Sequence, residues 1–277
     1  MPILHAIILG IVQGLSEFLP ISSSGHLILV PEILGWNDFA GEPSLQKTFD
    51  VALHIGTFIG AAFFFRHDLV RYFKAGVHSI IRRRVSTTDE RIAWLLLLSA
   101  IPAAIVGGLF SDVIERNTNS PILIGVMSIV FALVLYWTDH LPAVRPTEEF
   151  SKRDAILMGA AQALALQPGV SRSGVTVSMG RWLKFDRPAA VRISFLMSLP
   201  IIFGAGLFKG LQVLAGDGVP ADLVPAFIWG MLAAMVSGFV AIAWLLRYVQ
   251  TRTLTPFVIY RIVLGVIVII VFATGWR

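Results

Sequence analysis

The chain has 277 residues, 56% of them hydrophobic and only 14% charged, with a mean hydropathy of +0.79. A soluble domain carries about 25% charged residues, so an ordinary water-soluble fold is excluded and an all-α polytopic membrane protein is expected. The absence of cysteine excludes disulfides and thiolate metal sites, and the net charge of +5 is read as a topology signal and an attraction to lipid headgroups rather than as a nucleic-acid surface.

The chain opens on "MPILHAIILGIV", with no Lys or Arg ahead of the apolar run and no clean small-residue cleavage pattern. The N-terminus is therefore read as part of the mature fold, not as a signal peptide. Ile3–Gly35 is long enough for two short helices but is interrupted by "LPISSSGH". Apolar spans follow at Phe49–Phe65, Ile92–Phe110 and Pro121–Trp137. Ala155–Leu183 is a second interrupted segment, broken by "QPGVSRSG". Spans at Ile193–Leu214, Leu223–Leu246 and Pro256–Ala273 complete the chain. Each approaches the roughly 20 residues that a membrane helix needs. A break rich in Ser, Pro and Gly cannot face lipid, because its backbone groups would lack partners. It is tolerated in a re-entrant hairpin lined by protein or water. The expected fold is a single membrane domain, 1–277, of six transmembrane helices and two re-entrant helical hairpins.

The basic residues test this layout. Arg66–Arg91, Arg145–Arg153, Arg181–Arg192 and the pair Arg247 and Arg252 hold sixteen of the 22 Lys and Arg. Lys47, Arg116, Lys209 and Arg277 fall in the other connections, and Arg172 and Arg261 lie inside apolar segments. Six spans and two hairpins put all sixteen on one face, the cytoplasm by the positive-inside rule. The N-terminus and the first hairpin then lie on the outer side and the second hairpin on the inner side. The "IIRRRV" run, Ile80–Val85, is expected to be a solvated inner loop.

The two broken segments resemble each other. "AIILGIVQGLSEFLPISSSG" (Ala6–Gly25) lies over "AILMGAAQALALQPGVSRSG" (Ala155–Gly174) at a constant offset of 149. Gln13/Gln162, Ser22/Ser171, Ser24/Ser173 and Gly25/Gly174 are among the identities. A second echo is "TNSP" before the third span against "TLTP" before the sixth. Two halves, 1–140 and 150–277, each of one hairpin and three spans, would run in opposite orientation. That is an inverted-topology repeat whose broken helices meet near the midplane.

The breaks concentrate chemistry. After each one a short helix begins, offering free N–H groups and the positive end of its dipole, with serines as caps. Two such N-termini at one spot suit phosphate, and Arg172 adds a permanent planar charge. The bland alternative pairs Arg172 with Glu17 simply to hold the hairpins together. Gln13 and Glu17 are four apart and share a helix face. Glu17 can bind a proton or a divalent cation, Mg2+ or Ca2+, beside phosphate oxygens. His26 follows Ser22 and Ser23 by four and three residues, so a nucleophile and base pair is conceivable. Asp50 and His54 are expected at the watered start of a span, and Arg261 is expected to snorkel to the cytoplasmic interface.

At these residues the chain resembles a known family. "QGLSEFLPISSSGH" is similar to its first signature and "PGVSRSGVT" (Pro168–Thr176) to its second. Together they resemble the undecaprenyl-diphosphate phosphatases of the BacA/UppP type, over essentially the whole chain. One departure is Gln13, where some members carry Glu, so a second carboxylate for metal is missing. The resemblance implies removal of the terminal phosphate of undecaprenyl diphosphate, which recycles the lipid carrier for peptidoglycan and is associated with bacitracin resistance. It implies Glu17, Ser23, His26 and Arg172 as the catalytic set, and Gln13, Ser22, Ser24, Ser171, Ser173 and Thr176 around the diphosphate. It also implies a divalent cation, held by Glu17, and a site open to the outer face of the bacterial cytoplasmic membrane.

On this reading Ser23 attacks the terminal phosphorus and His26 takes its proton; a variant makes His26 the nucleophile. The rival class is a polyprenyl-phosphate flippase or an anion transporter, for which inverted repeats with broken helices are the usual build. A structural scaffold gives no reason for Arg172 at membrane depth. Small-residue stretches, "GIVQG" and "GAGLFKG", leave open both internal helix packing and a homodimer.

Overall fold

The computed structural model describes all residues except 40–41, 118–119, 216–217 and 275–277, and leaves aside the side chains of 111–117, 209 and 212–215. The Thr118–Asn119 part of the "TNSP" echo, the side chains of Arg116 and Lys209, and Arg277 therefore lie outside the described residues.

Among the described residues the chain forms eleven α-helices. They are α1 (Ile3–Phe18), α2 (Ser23–Leu34), α3 (Pro43–Phe64), α4 (Arg66–Arg82), α5 (Thr88–Asn117) and α6 (Pro121–Asp139), followed by α7 (Lys152–Leu164), α8 (Arg172–Trp182), α9 (Arg187–Ala215), α10 (Val224–Tyr248) and α11 (Thr255–Ala273). Local chemistry sets several ends. Proline occupies the first turn of α3, α6, α10 and α11, where its missing N–H costs nothing. Ser151 and Asp154 form a reciprocal capping box at the start of α7. Gly35, at φ 67°, closes α2 in the left-handed region.

Five helices, α5, α6, α9, α10 and α11, hold segments long and apolar enough to cross a membrane, and a sixth span arises if α3 and α4 are counted together. The protein is a multi-pass membrane protein. The bend between α3 and α4 is 81°, and it corrects one expectation. Ile80–Arg82 end α4 rather than lying in a loop, because Ile80 and Ile81 continue a stripe with Val70, Phe73 and Val77 at helical spacing. That stripe is exposed, Ile81 by 76%, while Arg66, Arg71, Lys74 and Arg82 share the helix. An apolar stripe on a basic helix suits the headgroup boundary.

Hydrogen bonds tie the basic connections together at one end of the bundle. Arg91 donates to Glu148 O at 2.7 Å, Val144 N–H to Lys184 O at 3.0 Å, and Leu254 N–H to the Asp139 carboxylate at 2.9 Å. Arg187 pairs with the same Asp139 at 2.6 Å. The ends of each short-helix hairpin also meet. Arg145 binds Asp154 at the start of α7 at 2.8 Å and Leu183 O just past α8 at 2.7 Å. His5 near the start of α1 lies 2.9 Å from Asp38 and stacks on Trp36, both beyond α2.

Helix pairing follows small residues. α1 packs on α10, α10 on α3, α6 on α11 and α5 on α7. A Cβ at Gly10 would overlap Gly230 O, and one at Gly14 would overlap the Ser237 hydroxyl. The "GIVQG" stretch thus serves internal packing, since only glycine lets α1 and α10 approach this closely.

Candidate active site

The two hairpin breaks meet inside the bundle. Each chain turns on a serine with positive φ, Ser22 at 79° and Ser171 at 68°, and each next residue starts a helix. Such a φ is uncommon for a residue with a Cβ, so both turns are held by their surroundings. The breaks are laced together. Gly169 N–H donates to Ser22 Oγ at 3.2 Å, and Ser173 Oγ donates to Leu19 O at 3.0 Å. Gly169 has φ 92°, and a Cβ there would overlap Ile124 O, which leaves glycine as the residue that fits.

Glu17 is the centre of the polar cluster, with its side chain only 5% exposed. Arg172 Nη2 donates to Oε1 at 2.7 Å from the opposite hairpin. Ser23 Oγ donates to Oε2 at 2.5 Å, Gln13 Nε2 donates to the same oxygen at 3.1 Å, and His54 Nε2 lies 3.6 Å away. The expected pairing of Gln13 and Glu17 on one face is thus formed, and so is the Glu17–Arg172 ion pair. The group that takes the Ser23 hydroxyl hydrogen bond is the Glu17 carboxylate. His26 is engaged elsewhere: Nδ1 lies 2.6 Å from Ser22 O and Nε2 2.6 Å from the Tyr260 hydroxyl. The spacing of three residues could not reveal this, because the turn at Ser22 sends Ser23 toward α1.

The remaining expected residues divide. Ser22 and Ser173 stitch the two breaks. Ser171 Oγ accepts from Gly174 N–H at 3.2 Å and so caps α8. Ser24 is half-buried in the first turn of α2. Thr176 is buried, with its hydroxyl on Arg172 O at 2.7 Å and against Ser194 Oγ at 2.6 Å, so it supports Arg172 from behind. His54 Nδ1 donates to Asp50 O at 2.8 Å, which turns Nε2 toward Glu17.

Arg261 corrects an expectation. It does not snorkel; it is 0% exposed. Its Nη2 donates to Gly169 O at 2.8 Å and Val170 O at 2.9 Å, and its Nη1 to Pro20 O at 3.4 Å. The carbonyls of both breaks converge on one guanidinium, whose five donors in a planar fork make that possible. Its signal in the sequence was a charge at membrane depth; its partners are too distant in the chain to infer.

The donor set bears on the implied cation. No group of three or more His, Asp and Glu able to hold a metal occurs among the described residues. Gln13 Oε1, however, is a buried acceptor with no partner, beside the Glu17 carboxylate. Those two oxygens fit a hard cation that takes its other ligands from phosphate and water.

Comparison with known proteins bears on the whole chain. A family model described as bacitracin resistance protein BacA matches residues 6–267. A protein of Pelotomaculum thermopropionicum named undecaprenyl-diphosphatase is 46% identical over 275 residues, covering 99% of this chain and 98% of that one. Proteins of the same name from Pelobacter propionicus and from a Nocardioides species are each 44% identical, covering 99% and 98% of this chain and 99% and 97% of their own lengths. Full-length similarity at this level, together with the matched model, places the chain in the bacitracin resistance protein BacA family.

Proposed function

We propose that the chain acts as its relatives' names state, as an undecaprenyl-diphosphatase, and that the cluster around Glu17 carries the reaction. The observation behind this assignment is the sharing of one buried carboxylate by Ser23 of the first hairpin and Arg172 of the second. A hydroxyl already donating its proton to a carboxylate is a nucleophile with its base in place. Arg172 and the N-terminus of α2 supply positive charge where phosphate oxygens would lie.

Ser23 Oγ attacks the terminal phosphorus and gives its proton to Glu17. The bond from that phosphorus to the bridging oxygen breaks, and undecaprenyl monophosphate leaves with the electron pair. Water then attacks the phosphoserine; Ser23 recovers its proton from Glu17, phosphate departs, and one proton is released overall. Arg172 and the backbone donors stabilise the equatorial oxygens in both steps, and such positioning and charge are most of what phosphoryl transfer needs. A divalent cation, held by Glu17 and Gln13 Oε1, would neutralise diphosphate charge when bound.

The hairpins are read as re-entrant, each leaving the membrane on the side by which it entered, which the meeting of their ends on Arg145 and on His5 supports. The halves 1–140 and 150–277 are read as an inverted repeat within one membrane domain. In support, the helices after both breaks start at the offset of 149 seen in the sequence, Ser23 against Arg172. The basic end is read as cytoplasmic, and the site as opening to the outer face, as the family resemblance implies.

Phosphate release from undecaprenyl diphosphate by the purified protein in detergent tests this reading. Release that is lost in Arg172→Ala and Glu17→Ala supports the enzyme. No release by well-folded protein supports the carrier.

A further inference from the structure

His26 lies on the first turn of α2, is buried, and has one partner for each ring nitrogen. Ser22 O is a carbonyl and can only accept, so Nδ1 carries the proton. In the neutral ring Nε2 is then a lone pair, and the Tyr260 hydroxyl donates to it. The two rings lie nearly parallel, 8° apart in plane with centroids separated by 5.7 Å. His26 is 9% exposed and Tyr260 43%, so a buried histidine is closed off by a partly exposed tyrosine.

The bond from Nδ1 falls on a sensitive atom. Ser22 is the positive-φ residue of the first break, and its carbonyl also accepts the His26 N–H at 3.3 Å. Its hydroxyl holds Gly169 of the other break. Ser23, the proposed nucleophile, is the next residue. Tyr260 reaches this place because α11 lies tightly on α6, where a Cβ on Gly125 would stand 2.9 Å from Gly265 O. Arg261, its neighbour, anchors the same helix to both breaks.

We infer that Tyr260 is a positioning residue for the phosphatase reaction: its hydroxyl donates to Nε2 and fixes the orientation of the His26 ring, whose Nδ1–H ties down the Ser22 carbonyl and thereby aims Ser23 at Glu17. The inference rests on the proposed role of Ser23. Without the hydroxyl, Nε2 is a buried acceptor with no donor. Moving the proton to Nε2 would not help, because the Nδ1 lone pair would then face Ser22 O; the ring instead shifts to find a donor for Nε2, and its bond to Ser22 O weakens.

The test is Tyr260→Phe, which removes one oxygen and keeps the ring packing. Nitrogen-15 spectra of His26 in the wild type are expected to show protonated Nδ1 and a bare, hydrogen-bonded Nε2; in the variant Nδ1 is expected to stay protonated while the Nε2 resonance shifts to that of a nitrogen without its tyrosine donor. The kcat of Tyr260→Phe is expected to fall about tenfold or more with KM within about threefold, as for other residues that orient a histidine. In a His26→Ala background the same change is expected to cost nothing further. An Nε2–H ring or an imidazolium in the wild type, unchanged kcat in Tyr260→Phe, or equal loss in both backgrounds would each overturn the inference. Failure of the underlying reading looks different: Ser23→Ala would release phosphate normally while the tautomer and the cycle behaved as expected.

Discussion

The hairpins α1–α2 and α7–α8 share a backbone and divide the chemistry. Both turn on a serine in the left-handed region, and both start a helix on the next residue. Ser171 caps its own helix, whereas Ser22 gives its hydroxyl to Gly169 of the other break and leaves α2 without a side-chain cap. At equivalent positions Glu17 faces Leu166, Ser23 faces Arg172 and His26 faces Val175. One hairpin therefore holds the carboxylate, the hydroxyl and the imidazole, and the other a guanidinium aimed across at Glu17. The difference teaches that two turns of the same backbone form can carry different chemistry, a carboxylate and a hydroxyl on one and a guanidinium on the other.

Mutations that erase this division should have the largest effects. Ser23→Ala is expected to lower kcat by about 10⁴-fold or more, the scale of losing a nucleophile, measured as phosphate release in detergent. Trapping a phosphoenzyme on His26 in this variant would reverse the assignment. Arg172→Ala is expected to cost about 10³-fold, the lower range for losing an arginine at a transferring phosphoryl group. Arg172→Lys should recover only part of that, because an ammonium lacks the planar fork.

Smaller effects probe the frame that the hairpins share. Arg261→Met leaves three carbonyls without their donor and is expected to cost about 3 kcal/mol, read as a lower unfolding midpoint in micelles. Gly169→Ala is expected to cost about 2 kcal/mol, since φ 92° and the contact with Ile124 O both penalise a Cβ. Ser171→Ala is expected to cost about 1 kcal/mol as a lost cap. Ser22→Ala should loosen the contact with Gly169, seen as faster hydrogen exchange at that amide. Identical exchange at Gly169 in both serine variants would mean that the two hydroxyls do the same job.

Much of this was legible in the chain. The six long apolar runs all became helices, and the two interruptions became the breaks, because Pro, Gly and clustered Ser cannot continue a lipid-facing helix. The Gln13–Glu17 and Glu17–Arg172 contacts were also foreseeable, the first from helical spacing and the second from the cost of a lone buried charge. Three features were not. The hydroxyl of Ser23 bonds to Glu17 and not to His26, Arg261 is a buried clamp rather than a snorkelling cation, and nothing in the sequence singles out Tyr260 as the partner of His26.

By itself the sequence determined what each segment can be. Hydrophobicity, spacing and the two serine-rich motifs dictate helices, breaks, the set of polar side chains and the family, since these depend on local backbone and solvation physics. Only the tertiary structure decided which polar group meets which. Residues 155 positions apart, Glu17 and Arg172, or 234 apart, His26 and Tyr260, find each other through glycine-mediated helix packing and the sense of a turn. In a low-dielectric interior a buried donor must find whichever acceptor the packing offers, and the order of residues along the chain does not name that acceptor.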